Sequence, residues 1–355
     1  MEPQTNRVAY LDIAKAFGML LVMWGHIHLV GVSNNFVYAF HIPMFFYLSG
    51  MVFSPQKYPT FNAFFLRRVK SLLLPYIIYS FVTWLIWVLY VVISHQQVHS
   101  IWMPLLETFI ARGSEGYLIH NVPLWFVPCL FITELFYFWI SKFKDIVIIF
   151  IGCIFAIVSY CLVNFVHIFD FTTLPWSIEV SMMALIFYAL GHLTIKNIGQ
   201  DKILQLINDN KLYSYGLALL LFSCVFIIAY MNGSPSMGHA RLNNPFLFYT
   251  GAIGGIVAAI ISSVLYSNIT NINHLKKWLL WFGSNSFIAM AIHNPIKGFL
   301  IAVMSKITHT STMHISTSIP YSLCAFALTT ITTVLLMIII VKLTNIVKNY
   351  SKKYI

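Results

Sequence analysis

The stretch LDIAKAFGMLLVMWGHIH, residues 11–28, is apolar over most of its length but carries Asp12, Lys15 and His26. A helix of about 20 apolar residues crosses the hydrocarbon core of a bilayer, which is about 30 Å thick. Ionisable side chains within such a helix are costly and are therefore functional candidates. The stretch predicts a membrane-spanning helix with a functional polar face.

The spacing of these three residues places them on one face of the helix. Asp12 and Lys15 are three residues apart and can form an ion pair. At about 100° per residue, Lys15 and His26 project within about 20° of each other, and Asp12 and His26 within about 40°. His26 lies about 16 Å further along the axis than Lys15 at about 1.5 Å per residue. The structural alternative is that Asp12 and Lys15 form an ion pair and His26 packs in the core, without a functional role for any of the three.

The composition of the whole chain agrees with a membrane protein. Of its 355 residues, 59% are hydrophobic and only 9% are charged, whereas about 25% are charged in an average soluble domain. This composition excludes a soluble enzyme, a disordered protein and a disulfide-rich secreted domain. We predict an all-α helical bundle in one integral-membrane domain, residues 1–355, with about ten spans. The predicted spans are 8–30, 36–54, 72–94, 122–141, 145–167, 174–195, 212–231, 245–266, 278–304 and 318–343.

The distribution of positive charge predicts the orientation. The net charge is +11, with 21 Lys and Arg residues. If the N-terminus is cytoplasmic, sixteen of these cations fall in cytoplasmic segments, three on the outer side, and Lys15 and Lys297 within spans. Cytoplasmic loops are enriched in Lys and Arg. The asymmetry therefore predicts an even number of spans and two cytoplasmic termini, and it favours a membrane protein over a nucleic-acid binder.

Four further polar or aromatic residues within or beside spans are candidates for binding an acceptor, three of them near the outer ends of their spans and Ser49 deeper in the second span. Each has a structural alternative: the histidine can be interfacial, the serine can belong to a helix-packing site with Gly50, and the tryptophans can form an interfacial belt. The candidates are His41, Ser49, Trp125 and Trp176.

Two glutamates within spans are candidates for a catalytic role. Glu179 lies near the outer end of its span, as does His26, and Glu134 lies nearer the middle of the membrane. A carboxylate beside an imidazole fixes its tautomer and raises its basicity. We expect Glu179, or with less support Glu134, to orient His26 as a general base.

A basic cluster precedes the third span in NAFFLRRVKSLLLPY, residues 62–76, which we predict to be a cytoplasmic loop entering a helix. Arg67, Arg68 and Lys70 can bind the phosphates of a cytoplasmic ligand, because Arg and Lys are the usual phosphate-binding side chains. The alternative is simple anchoring at the cytoplasmic face. No metal-ligand spacing and no disulfide pattern occurs in the sequence.

Several motifs, taken together, resemble the membrane-bound acyltransferase family 3, including its fucose 4-O-acetylase-like members. Lys15 and His26 match the Arg/Lys-x10-His motif of that family, although many members have Arg where this chain has Lys. The segments FHIPMFFYLSG, FLRRVKSLLLPY, PLWFVPCLF and LPWSIE follow in order on the expected spans. The resemblance extends from about Arg7 to Val341.

The resemblance implies O-acyl transfer, usually of acetyl and otherwise of groups such as succinyl, from a cytoplasmic acyl-CoA to a hydroxyl of a bacterial surface glycan or its lipid-linked precursor. The acceptor would be the O antigen of lipopolysaccharide, an enterobacterial-type common antigen, capsule, exopolysaccharide or a free sugar precursor, and the protein would lie in the bacterial inner membrane. Acetyl-CoA would be a co-substrate and no cofactor would be resident. His26 would act as general base, and Asp12, Lys15, Arg67, Arg68 and Lys70 would face the donor.

Two alternatives remain open at this point. A secondary transporter or glycan flippase could use Asp12, Glu134 and Glu179 as a proton relay. The other large family of membrane O-acyltransferases relies on a membrane-embedded His and an Asn, which His293 and Asn294 could supply. The ordered motifs favour family 3.

Overall fold

The structure, a computed structural model, describes residues 8–94, 97–113, 116–165, 174–269 and 274–353. This part of the chain is all-α, as predicted, with short 3₁₀ and π turns between some helices. Arg7, the chain termini and residues 166–167 of the predicted fifth span lie outside the described residues. The helices are α1 (Ala9–Ile27), α2 (Gly31–Met51), α3 (Phe61–Arg68), α4 (Leu74–Ser94), α5 (Met103–Ile110), α6 (Phe126–Ile140), α7 (Asp145–Phe165), α8 (Ile178–Asn197), α9 (Gln200–Asp209), α10 (Lys211–Asn232), α11 (Pro245–Ser267), α12 (His274–Ser284), α13 (Ser286–Thr308), α14 (Thr312–Thr317) and α15 (Ile319–Lys353).

Eight helical segments in the described chain are long and apolar enough to cross a membrane. The two remaining predicted spans coincide with α1 and α2, which have 19 and 21 residues and carry more polar side chains. The total of ten spans and the orientation of the termini remain predictions. The eight segments are Phe61–Ile93, Val122–Ile140, Asp145–Phe165, Pro175–Asn197, Lys211–Asn232, Pro245–Ser267, Ser286–Thr308 and Ile319–Val347.

Helix α1 occupies the centre of the bundle. It packs against α2, α11, α12, α13 and α15, and most of its residues are buried. Helices α4, α7, α10 and α15 expose many large apolar side chains on the outside of the bundle. An outer helix must be apolar because lipid surrounds it, whereas a central helix can carry polar groups that face protein or a cavity. This difference explains why α1 and α2 are less apolar than the other predicted spans.

Glycines allow the central helices to approach closely. A Cβ added at Gly50 of α2 would overlap the carbonyl oxygen of Tyr188 in α8, and one at Gly191 of α8 would overlap that of Tyr47 in α2. Gly283 likewise packs on the α1 backbone. Small residues at helix crossings in membranes permit backbone contact of this kind. The packing alternative for the Ser49-Gly50 pair therefore holds for Gly50.

The predicted loop before the third span is instead helical from Phe61. The Thr60 side chain accepts a hydrogen bond from Ala63 N and caps α3, and no Gly or Pro interrupts the chain before Pro75. A π turn, Val69–Leu73, then joins α3 to α4. Pro75 has no N–H and would crowd the backbone of a regular helix, so the wider turn before it relieves the contact. The basic cluster thus lies on a helix.

Other segments also differ from the prediction. The predicted linkers 95–121 and 196–211 contain the short helices α5 and α9. The predicted ninth span, 278–304, is broken at Asn285, which leaves helical geometry and donates its side-chain amide to Trp281 O. Asn competes locally for backbone hydrogen bonds and is preferred at helix ends. The spanning helix therefore begins at Ser286.

We expect Gly50→Ala to destabilise the protein by about 1–3 kcal/mol, because the added methyl forces α2 and α8 apart. Gly216→Ala in α10 is the matched control, since its Cβ would meet no atom within 4 Å, and Ala stabilises an exposed helix by up to about 1 kcal/mol over Gly. Thermal unfolding of the two variants in one detergent measures the difference. Equal midpoints for both variants would contradict the close crossing.

Candidate active site

The polar face predicted for α1 is present in the structure. Lys15 Nζ lies 3.4 Å from Asp12 Oδ1, so these two residues form the expected ion pair. Lys15 and His26 line the same cavity, which confirms that they share a face. The polar face of α1 is therefore directed toward an interior space and away from lipid.

The inner cavity has a volume of about 200 Å³ and lies between α1, α2, α6 and α13. Its walls are mostly apolar, with side chains such as Met19, Val22 and Phe45. Small-molecule sites combine apolar walls with a few placed polar groups in this way. The polar groups and the indole that line it are Lys15, His26, Ser49, Trp125 and Ser286.

A second, more polar cavity adjoins the first at Lys15. This vestibule has a volume of about 790 Å³, and Lys15 lines both spaces. Its cations besides Lys15 are Lys57 and Lys196, on the side that the charge asymmetry predicts to be cytoplasmic. Gln56, Gln200 and His192 add hydrogen-bonding groups. The vestibule is thus a large space lined by three lysines and one acid, Asp12, at the end of the α1 face that is predicted to be cytoplasmic.

His26 lies among other basic residues. Its ring centroid is 5.5 Å from that of His293 in α13. Lys297, His41 and His239 are also close enough to act on it electrostatically. The described residues that act on His26 are all basic, and neither Glu134 nor Glu179 is among them. Its nearest ring partner is therefore a second imidazole.

The candidates for acceptor binding are not all at the cavity. Ser49 and Trp125 line it. His41 is buried next to this region, and its Nδ1–H donates to Val37 O at 2.6 Å. Trp176 does not line the inner cavity, and its Nε1–H donates to Phe109 O at 2.8 Å. The structure therefore brings Ser49, Trp125 and His26 together but leaves Trp176 outside this group.

Segments on the side that is predicted to be extracytoplasmic pack on Trp125 and fix its position. The ring packs directly on the backbone of Gly238, since a Cβ there would lie 2.8 Å from Trp125 Cζ2. Asn121 Nδ2 donates to Ala291 O at 2.6 Å and ties the segment before Trp125 to α13. Burial lowers the pKa of nearby His120 to about 4, so this residue is neutral at physiological pH.

A buried carboxyl, that of Glu107, also contacts the chain that precedes Trp125. Glu107 in α5 accepts a hydrogen bond from Leu118 N at 3.0 Å. Burial raises the pKa of Glu107, and the hydrogen bond opposes this increase. Glu107 thereby holds the loop that leads to Trp125.

Glu134 is paired with one of the predicted donor ligands. Its Oε2 lies 2.7 Å from Nε of Arg68, and Tyr188 donates its hydroxyl to Oε1 at 3.4 Å. Both members of this ion pair are largely buried. Removing one member of a buried pair is costly because the other charge remains without compensation. Arg68 and Glu134 thus bind each other and join α3 to α6.

Glu179 stabilises the start of α8. Its Oε2 accepts a hydrogen bond from Leu174 N at 2.9 Å, two residues before Trp176. Trp176 and Ser177 both have positive φ angles. Such angles are unfavourable for residues with side chains, and the contact from Glu179 helps to hold them. The prediction that Glu179 or Glu134 orients His26 has no supporting contact in the described chain and remains a prediction.

The other two residues of the basic cluster are exposed, Arg67 on α3 and Lys70 on the π turn that follows it. Arg67 and Lys70 point away from the core, and neither lines the vestibule. Lys57 and Lys196, which do line the vestibule, were not among the residues predicted to face a donor. The position of Lys57 just after the second predicted span, on the same side as Lys15, was the available signal.

Three other residues at the site were missed or left unassigned. Ser286 lines the cavity because the helix break at Asn285 exposes it there. Lys297 and His239 approach His26, and only Lys297, as a cation within a span, could have been noticed from sequence. Among the described residues, no group of three or more His, Cys, Asp or Glu side chains could hold a metal ion.

The chain is similar to a known protein family. A family model described as an acyltransferase domain matches residues 8–338, nearly the whole chain. The matched region contains the α1 face, both cavities and His293. No curated protein and no solved structure matches the chain significantly.

Proposed function

The chain belongs to the acyltransferase 3 family, and from this premise we propose that it is a membrane O-acyltransferase. It transfers an acetyl or other short acyl group from acyl-CoA to a sugar hydroxyl of a bacterial surface glycan or its lipid-linked precursor. The proposed location is the bacterial inner membrane, with the vestibule open to the cytoplasm.

One observation carries this proposal. Lys15 lies at the boundary between a large, positively charged vestibule and a small, mostly apolar cavity that contains His26. A donor with an anionic nucleotide and a long neutral arm ending in a thioester matches this arrangement. The nucleotide needs the large polar space, and the acyl end fits the small apolar one.

The vestibule supplies the charges for the donor. Lys57 and Lys15 can contact phosphate oxygens there, as can Lys196, which already pairs with Asp145. Ion contacts to phosphate are stronger than neutral hydrogen bonds. Arg67 and Lys70, the other predicted donor ligands, are exposed on the helix surface outside the vestibule, and Arg68 is committed to Glu134, so we assign the donor phosphates to the vestibule lysines.

His26 acts as the general base in the proposed reaction. A ring nitrogen removes the proton from the sugar hydroxyl as its oxygen attacks the thioester carbonyl. The tetrahedral intermediate then collapses, the C–S bond breaks, and the imidazolium returns the proton to the CoA thiolate. The products are the sugar ester and free CoA, and no covalent enzyme intermediate is needed.

The acceptor meets the donor in the inner cavity. Trp125 and Ser49 line this space and can contact the sugar through an indole face and a hydroxyl. His41 lies close to His26, and Trp176 is proposed as a more peripheral contact. Aromatic rings combine an apolar face with a polar edge, which suits a sugar.

We expect His26→Gln to lower the transfer rate by at least about 100-fold, the lower range for a general base, without changing the KM for acetyl-CoA. The assay gives [14C]acetyl-CoA to inverted membrane vesicles from cells that carry the gene and measures alkali-labile label in the glycan fraction. His28→Gln is the matched control, because His28 contacts Ser322 and does not line the cavity. We expect this control to retain most of the rate.

Two outcomes of the same assay would count against the proposal. Wild-type vesicles that transfer no label above vesicles lacking the gene, in every glycan fraction, would favour a transporter over an acyltransferase. Full transfer by His26→Gln with loss in His293→Ala would move the base to His293.

A second comparison tests which cations bind the donor. We expect Lys57→Gln to raise the KM for acetyl-CoA by about threefold to tenfold, the loss of one charge-assisted contact, with little change in kcat. Lys70→Gln is the control, since Lys70 is exposed and outside the vestibule. The reverse pattern, with a raised KM only for Lys70→Gln, would place the donor at the basic cluster.

A further inference from the structure

His293 has a fixed tautomer. It is fully buried in α13, and its Nδ1 lies 3.0 Å from Ala289 O and 2.9 Å from Met290 O. Carbonyl oxygens can only accept hydrogen bonds, so Nδ1 must carry a proton. In the neutral ring, Nε2 is then an acceptor with a free lone pair.

That acceptor has no hydrogen-bond partner among the described residues. Nε2 of His293 is buried and unpaired, which is an unfavourable state for a polar atom in an apolar interior. The His26 ring lies 5.5 Å away between centroids, with the ring planes tilted by 45°. Two imidazoles joined by an N–H···N bond of about 3 Å have centroids about 5 Å apart. His26 is therefore within reach of the free acceptor after a small side-chain adjustment.

We propose that His293 is a positioning residue for His26: its Nε2 accepts the N–H of His26 and thereby directs the other, unprotonated nitrogen of His26 into the cavity. This inference rests on the proposed function, because it concerns the residue assigned there as general base. In this proposal His293, and not Glu179 or Glu134, orients His26.

The surrounding charges favour a neutral His293. The groups that face His26 are His293 and Lys297 from α13, His41 from α2 and His239 from the segment between α10 and α11. A cationic Lys297, one helical turn after His293, makes a second positive charge on His293 unfavourable. His293 therefore remains neutral and keeps its acceptor. The Nδ1–H of His41 is already committed to Val37 O.

The hydrogen bond matters most when His26 is charged. As His26 takes the proton from the sugar hydroxyl, its other N–H becomes a charge-assisted donor to His293 Nε2, and such bonds are stronger than neutral ones. His26 then passes the transferred proton to the departing CoA thiolate. His293 gains and loses no proton in the cycle.

Two substitutions separate the acceptor from the rest of the side chain. His293→Asn keeps an amide donor near the Nδ1 position but removes the acceptor, whereas His293→Gln places an amide oxygen near Nε2. With the vesicle assay, normalised to folded protein, we expect kcat to fall by at least about tenfold in His293→Asn, with unchanged KM for acetyl-CoA. We expect His293→Gln to retain at least about a third of the wild-type kcat.

A double variant distinguishes positioning from a general structural role. If His293 acts through His26, His26→Gln and the double variant His26→Gln/His293→Asn should transfer label at the same residual rate, because coupled residues are not additive. A further tenfold loss in the double variant, or equal loss in His293→Gln and His293→Asn, would overturn the proposal. So would wild-type kcat in His293→Asn.

These results are separate from the test of the proposed function. Absence of transfer in wild-type vesicles contradicts the acyltransferase itself. Transfer that depends on His26 but not on His293 contradicts only the positioning role.

Discussion

The structure depends on one constraint: a polar or charged group within the apolar interior of a membrane bundle must find a partner or face a cavity. Asp12 and Lys15 satisfy it by pairing with each other, and Arg68 and Glu134 by joining two helices. His26 satisfies it by facing the inner cavity. The polar face of α1 thus forces this helix into the centre, with apolar helices between it and lipid, and creates the space in which chemistry can occur.

Close packing around this centre sets the dimensions of the site. The crossing at Gly50 and Gly191 and the contact of Gly283 with α1 let backbones approach directly, which fixes the helices on either side of the cavity. The segment that carries Trp125 closes one side of the cavity. The cavity is therefore a confined space whose only basic side chains among the described lining residues are Lys15 and His26, and it is there that the donor and acceptor meet in the proposed reaction.

Much of this arrangement could be predicted from local sequence patterns. The rest depends on contacts between residues that are far apart in the sequence. The α1 face could be derived because its spacing is a property of one helix, and hydropathy located the spans for the same reason. The helix from Phe61 was missed because Arg67, Arg68 and Lys70 resemble a polar loop when the Thr60 cap is not considered. No periodicity could reveal that Arg68 would bind Glu134, or that His293 would contact His26, because each pair joins distant helices. The vestibule was also hidden, since it combines residues from α1, α8 and the segment after α2.

The central claim is that an acyl donor enters through the vestibule and presents its acyl carbon to His26. The most direct measurement is a cryo-electron microscopy structure of the protein with a non-hydrolysable thioether analogue of acetyl-CoA. The account predicts nucleotide density in the vestibule near Lys57, the pantetheine arm beside Lys15, and the acyl end within about 4 Å of the His26 ring, close to hydrogen-bonding reach. Density for the nucleotide at Arg67 and Lys70, or an acyl end that does not enter the inner cavity, would contradict it.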